Sequence, residues 1–362
     1  MRFIAASCLR EGMVLGKTLY GLNNQILLTA GTVLNKIYVN RIVMLKYNGV
    51  YVEDDLSKDI PVLDILSDEL KQKTVKGIKQ IFVESTAEIS SGRMPKGKKD
   101  LSGTKMLVES IVEDILDNKN LMINMVDLKI FDEYTFYHSV NVTVLSIVLG
   151  AAIHLTTEEL YKLGLSALLH DIGKVFIPKE ILNKPGRLTE KEFEIVKSHS
   201  EAGYKYIKEG YDVPLKSYVG ILQHHERYDG GGYPDGKKFE NISLFGRIIS
   251  ISDVYDALTS DRPYRKGMLP SEAMEYIMGG SGTMFDPKLV KVFVKKIAPY
   301  PVGVCVELSN GFKAIVAENY EECCMRPKVK VYEQGDKKIN PYEINLADEK
   351  YRHITIISIV ND

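Results

Sequence analysis

The sequence predicts a multidomain protein, with a central all-α bundle flanked by small β-rich N-terminal and C-terminal modules. Three observations carry this. The middle of the chain is dominated by helical periodicity with Gly and Pro punctuation and no strand runs of weight. Both ends carry short alternating runs separated by turn residues. Five of the seven histidines fall in the middle block at positions that face inward on their helices. The divisions are residues 1–58 (β-rich), 59–102 (a helical linker region), 103–298 (all-α) and 299–362 (β-rich).

The totals bound what the chain can be. At 362 residues it suits two or three domains. Apolar content of 45% and charged content of 26% are those of a globular protein. A formal net charge of −1 gives no global field to recruit nucleic acid or an anionic membrane, so DNA, RNA and membrane partners are not expected. An anionic ligand must then be met by local positive charge or metal. The four cysteines, Cys8, Cys305, Cys323 and Cys324, form no zinc-type C-x-x-C spacing and read as reduced thiols. Met1 to Arg10 lacks the apolar run of a secretory leader. Val140 to Leu155 is interrupted by Asn141, Thr143, Ser146 and His154 and is expected to be a core helix. A cytoplasmic location follows as an expectation.

Taken in order, Val14–Tyr20 and Gln25–Thr29 read as strands joined by a turn at Gly21 to Asn24. Ile37–Lys46 reads as a helix and Val50–Val52 as a return to strand. This first module holds no polar constellation. Residues 60–90 have helical spacing through Leu63, Leu66, Leu70, Ile78, Ile81 and Phe82, and Ser90–Asp100 is a basic connector. The all-α block follows. Pro299-Tyr300-Pro301 breaks its last helix. The runs Val302–Leu308, Ala314–Ala317, Val329–Tyr332 and Ile354–Val360 are strands, with a hairpin turn at Asn310-Gly311.

The chemistry centres on Leu168-Leu169-His170-Asp171-Ile172-Gly173-Lys174. An apolar helix ends there in an imidazole and a carboxylate side by side, which one divalent ion can take together. Lys174 follows one turn later and can reach an anion held by that ion. His138 lies on the apolar face shared by Tyr134, Val142 and Leu145. His199 lies on a helix that opens with the capping box Thr189/Glu192, on the face of Phe193, Val196, Gly203 and Ile207. His224-His225 closes the helix of Val219, Ile221 and Leu222, with Glu226 and Arg227 after it read as ordinary surface residues. Asp253 points inward with Ile249 and Ala257 and has no Lys or Arg one turn away. His154, near a helix end, and His353, in the β-rich tail, lack partners and read as structural or solvated.

Each buried histidine alone is ordinary. Together, five imidazoles and two carboxylates in an apolar bundle need a cation, because a desolvated, unpaired carboxylate costs several kcal/mol. If Asp171 bridges, the set can hold two divalent ions with positions left for water. The Gly-rich loop Tyr228–Gly236 follows the His pair and is expected to lie over these ions. The basic run Asp261-Arg262-Pro263-Tyr264-Arg265-Lys266 could place guanidiniums on a phosphate.

This set, His138, then His170-Asp171 with Lys174, His199, His224-His225, Gly232-Tyr233-Pro234 and Asp253, resembles the HD-GYP family of bacterial phosphodiesterases, within the HD superfamily. The resemblance covers roughly residues 105–295 and extends to His138–Val142, Asn183–Gly186 and Asp253–Tyr264. It implies an HD-type helical bundle and hydrolysis of cyclic di-GMP to linear pGpG, and often onward to GMP. It implies two divalent ions, iron or manganese. His138, His170, Asp171 and Asp253 would hold one ion; Asp171 would bridge to a second, held by His199, His224 and His225. Lys174, Arg262 and Arg265 fall where the family contacts the phosphates, and Tyr233 belongs to the substrate-binding set. The catalytic pair expected is Asp171 with Lys174. Some members hold a third ion with a Glu one turn before the first histidine; here that position is Tyr134, which argues for two ions and a weaker second hydrolysis step.

Two other readings stay open at this point. The domain could bind cyclic di-GMP as a receptor without turnover, or it could hydrolyse another cyclic dinucleotide. The β-rich modules and the GYP loop are candidate surfaces for a protein partner or a homodimer.

Overall fold

In the computed structural model, residues 1–21, 25–91, 98–118, 122–123, 134–260, 267–335 and 337–360 are described. Arg262 and Arg265, the two guanidiniums expected at the phosphates, lie outside this set, as do the side chain of Tyr134 and part of the 90–100 connector. The described chain divides into two compact units. The first gathers residues 1–64 and 297–362, with Met122 and Ile123; the second holds residues 65–121 and 134–296.

In the first unit, β1 (Arg2–Ala5), β2 (Val14–Leu15), β3 (Leu19–Tyr20), β4 (Ile26–Leu28) and β5 (Gly49–Glu53) surround α1 (Lys36–Met44). A three-stranded sheet has the order β1-β5-β2, and β3 pairs with β4. The run expected as one strand over 14–20 is broken in two. Gly16 donates to Tyr51 O and Gly31 to Leu15 O, so β2 pairs with the sheet while β3 forms a separate ribbon. Asn35 caps α1 by accepting from Tyr38 N.

The same unit contains a five-stranded antiparallel sheet, β10-β6-β7-β8-β9, made from β6 (Cys305–Leu308), β7 (Phe312–Glu318), β8 (Lys328–Gln334), β9 (Lys337–Asn345) and β10 (Ile356–Ile359). The hairpin at Asn310-Gly311 joins β6 to β7, with Gly311 at φ +78°. The two β-rich ends share this unit through several links. Phe3 N donates to Gly303 O at 2.9 Å, and Lys330 pairs with Asp59 at 2.6 Å. Ile60 packs in one cluster with Cys305, Ile315 and Tyr332. All four cysteines are free thiols.

The second unit is a helical bundle: α2 (Asp68–Ser90), α3 (Ser102–Asp117), α4 (Tyr134–Ala152), α5 (Thr157–Leu168), α6 (Lys179–Leu182), α7 (Glu190–Lys197), α8 (His199–Gly210), α9 (Leu215–Gln223), α10 (Leu244–Thr259), α11 (Pro270–Gly279) and α12 (Pro287–Lys296). Helix α2 begins at Asp68, not at residue 60, because Ser67 caps it through Leu70 N. Capping boxes open α5 at Thr156/Glu159 and α7 at Thr189/Glu192. The helix expected to run unbroken from Thr189 through His199 is two helices, separated at Ser198. Phe193 accordingly stands 48% exposed on α7, while Gly203 and Ile207 on α8 are buried.

The layers follow from burial. Helix α4 packs against α5 and α10, α5 also against α3 and α9, and α8 against α9. Thr135–Ala152 is long and apolar enough to cross a membrane, but 78% of it is buried inside the bundle. Val140, Val142, Leu145 and Ile147 are at most 1% exposed on successive faces of α4, as expected of a core helix.

Candidate metal centre

Each histidine arrives at the centre of the bundle from a helix end or a buried helix face. His170 and Asp171 follow directly on α5, and a 3-10 turn, Ile172–Phe176, carries Lys174. Gly173 in that turn lies against the start of α8; a Cβ there would meet His199 O at 1.9 Å. The missing side chain is what lets His199 approach Asp171. His224 caps α9 and His225 follows it. His138 and Asn141 share one face of α4, and Asp253 and Asp256 one face of α10, each pair three residues apart.

These side chains meet. His138, His170 and Asp171 offer donor atoms within 4.8 Å of one another, and so do His199, His224 and His225. Asp171 stands between the groups. Its Oδ2 is 3.5 Å from His170 Nε2 and 3.9 Å from His138 Nε2, while its Oδ1 is 3.5 Å from His199 Nε2. Asp253 also faces both groups, with Oδ1 3.1 Å from His138 Nε2 and Oδ2 3.9 Å from His225 Nδ1. Lys174 Nζ reaches Asp171 Oδ2 at 2.5 Å.

The ring tautomers are set from behind. His170 Nδ1 donates to Ala167 O at 2.7 Å, His199 Nδ1 to Val196 O at 2.7 Å and His224 Nδ1 to Ile221 O at 2.6 Å. His138 Nδ1 donates to Asp256 Oδ2 at 2.7 Å, and Asp256 Oδ1 is held by Asn141 Nδ2 at 2.8 Å. For His170, His199 and His224 the proton on Nδ1 leaves Nε2 with a lone pair aimed inward, whereas His138 Nε2 faces Asp253 Oδ1 at 3.1 Å. His199 Nε2 and His224 Nε2 face each other at 3.3 Å, two acceptors in van der Waals contact. His170 Nε2 is buried with no hydrogen-bond partner. Buried acceptors in this arrangement fit divalent cations, which are the missing complement of the donor set.

Electrostatics agree. Burial holds the His170, His199 and His224 imidazoles below their ordinary pKa, and His225 down to about 3, so all four are neutral donors at pH 7. Burial alone would raise the Asp171 carboxyl; Lys174 and the surrounding imidazoles outweigh it and hold it well below the usual range. Asp253 is also held down, by His138 above all, against the burial that would raise it. For His138, burial pulls down, but hydrogen bonds to Asp253 and Asp256 prevail and lift it to about 9.

The GYP loop lies on this centre. Tyr233 stacks on the His225 ring with centroids 4.7 Å apart, and Tyr233 N donates to His225 O at 3.1 Å. A side chain at Gly232 would meet Arg227 N at 2.3 Å and His225 O at 2.5 Å, so glycine lets the loop fold back on the His pair. The Tyr233-Pro234 peptide is cis.

Two acidic residues of this region were not legible as such. Glu226, expected on the surface, is 1% exposed, and burial raises its pKa. Asp256, also 1% exposed, orients His138. Both follow a residue of the cluster by one to three positions, but the groups they bind (backbone amides, and a ring nitrogen on another helix) leave no mark in the sequence.

Residues 110–289 match the HD domain family. This central stretch is an HD domain. The chain is similar to a cyclic di-GMP phosphodiesterase of Pseudomonas aeruginosa, 40% identical over 240 residues, covering 66% of this chain and 58% of that protein. A cyclic di-GMP phosphodiesterase response regulator of Xanthomonas campestris is 41% identical over 142 residues, 39% of this chain and 38% of that protein. A 3′3′-cGAMP-specific phosphodiesterase of Vibrio cholerae is 42% identical over 164 residues, 45% of this chain and 37% of that protein. The chain thus spans about 40 to 60% of the length of these relatives. The HD-domain match falls mostly within the helical second unit, and the β-sheets lie toward the two ends of the sequence.

Proposed function

We propose that this HD-domain chain hydrolyses cyclic di-GMP to linear pGpG at the histidine–aspartate centre. The observation that carries the reading is Asp171, whose two oxygens face two separate imidazole groups, one of them holding the buried His170 Nε2 that has no hydrogen-bond partner. The names of relatives about 40% identical over the matched residues support cyclic di-GMP as the substrate.

In this reading the centre holds two divalent ions, iron or manganese, and no third, since Tyr134 stands where a third would need Glu. His138, His170, Asp171 and Asp253 would hold one ion, and Asp171 with His199, His224 and His225 would hold the other. When bound, the ions supply Lewis acidity to a phosphoryl oxygen and make water a usable nucleophile near neutral pH. Water adds to phosphorus in line with the 3′ oxygen, the P–O3′ bond breaks, and the leaving oxygen takes a proton from solvent. Lys174, at 2.5 Å from Asp171, is placed to neutralise charge that grows on the phosphoryl oxygens. Arg262 and Arg265 serve the phosphates, and Tyr233 offers an aromatic face at the mouth of the centre. The proposal puts the chain in the cytoplasm, with no nucleic-acid polymer or membrane as partner, and gives the GYP loop and the β-rich unit contacts to a protein partner or a second copy.

The test is product analysis with full-length chain loaded anaerobically with iron or manganese. Cyclic di-GMP should yield pGpG, with little further conversion to GMP. The double variant His170→Ala/Asp171→Ala should lose hydrolysis while keeping its helical circular dichroism; near-wild-type turnover would reject the assignment. A second reading has support of its own, because the Vibrio cholerae relative at 42% identity is named for 3′3′-cGAMP. Competition between the two dinucleotides decides between them. Metal-loaded protein that binds cyclic di-GMP without consuming it would make the chain a receptor.

A further inference from the structure

Glu226 is a buried carboxylate that the hydrolytic mechanism does not use. Its side chain reaches across the base of the GYP loop. Oε1 accepts from Asp235 N at 2.8 Å and Oε2 from Lys237 N at 3.1 Å. Those two amides lie just beyond Gly232-Tyr233-Pro234, while Glu226 lies just before the loop and next to His225. The carboxylate therefore closes the loop with both of its oxygens. Other bonds hold the near half: Arg227 pairs with Asp229 at 2.7 Å, Asp229 Oδ1 accepts from Gly231 N at 2.8 Å, and Asp229 N donates to Thr283 O at 2.8 Å. On the far side, toward residues 235–237, the side-chain acceptor for the loop amides is Glu226.

A carboxylate in this position is chemically specific. Both lone-pair faces meet N–H donors. An amide of the same shape would keep one oxygen and turn an NH₂ toward the other donor. Removing water from a carboxylate is costly, and two charge-assisted bonds to the loop are what offset it. The loop in turn seats Tyr233 on His225.

We propose that Glu226 is a positioning residue for the substrate: it acts through Tyr233, fixing the ring that meets the cyclic dinucleotide, and touches neither substrate nor metal. The inference rests on Tyr233 being a substrate contact, as proposed above.

The experiment compares Glu226→Gln, Tyr233→Ala and the double variant in full-length, metal-loaded protein with cyclic di-GMP. It also follows hydrogen exchange of the loop in metal-free protein. In Glu226→Gln, exchange over residues 230–238 speeds up, metal content per chain stays at the wild-type level and KM rises about ten-fold with kcat little changed. Tyr233→Ala raises KM by a similar factor, and the double variant is no worse than Tyr233→Ala alone. Additive losses, or a Glu226→Gln protein that sheds metal, would overturn the inference, as would a loosened loop with unchanged KM. If Tyr233→Ala itself leaves KM unchanged, the role given to Tyr233 fails first, and Glu226 has no substrate contact to act through.

Discussion

At the scale of single residues, four of the five imidazoles at the centre have the rear nitrogen bonded to a carbonyl or carboxylate, which turns the other one inward. For His138 the rear partner is Asp256, so Asp256→Asn should free the ring and weaken metal retention about 10- to 100-fold, read by elemental analysis after dialysis against a chelator series. His138 also predicts a pH dependence. Its pKa rises from 6.5 to about 9 in the metal-free fold, because hydrogen bonds to Asp253 and Asp256 overcome burial. A raised pKa stabilises the fold fully below the unfolded value of 6.5, and the contribution is lost as pH climbs through about 9. Chelator-treated protein should therefore lose Tm between pH 7 and 9, and His138→Asn should flatten that slope. The clustered imidazoles and carboxylates were legible because histidine is scarce and a buried carboxylate in an apolar helix demands a partner. Glu226 was not, since its partners are the amides of Asp235 and Lys237, and any residue but proline carries one.

At the scale of elements, one glycine decides how close two segments come. The turn through Gly173 touches the first residue of α8 with no room for a methyl group. Gly173→Ala should push that turn away from His199, cost about 3 kcal/mol or more in denaturant titration and lower metal content together with activity. The helices were legible from apolar spacing and from the capping box at Thr189/Glu192. The break at Ser198 was not, because the apolar rhythm runs across it while the backbone restarts at His199. Strand β9 was missed because Pro341 sits within it. The sheet order shows why the proline is tolerated, as β9 is the last strand and has a free edge.

At the scale of the molecule, the β-rich segments at the two ends of the sequence share one compact unit. Their alternating patterns marked each segment as β-rich, but pairing between residues some 300 positions apart leaves no local pattern to read. Phe3 N bonded to Gly303 O, Lys330 paired with Asp59, and Ile60 packed with Cys305 make the C-terminal sheet depend on the N-terminal segment. Deleting residues 1–64 should strip hydrogen-exchange protection from β6, β7 and β8 while amides of α4, α5 and α10 keep theirs. Unchanged protection in the sheet would show that it stands without its N-terminal half.

This arrangement also sets a timetable during synthesis. The first 64 residues emerge about 230 residues ahead of the segment that completes their unit. At roughly 5–20 residues per second, that is a wait on the order of ten to fifty seconds on the ribosome. Throughout it, the nascent strands expose the apolar flank that Ile60 later shares with Cys305, while the helical bundle is translated and can fold in between. A chain stalled before residue 297 would therefore carry an orphaned, sticky N-terminus beside a bundle already able to fold, and that is the state a chaperone would meet first.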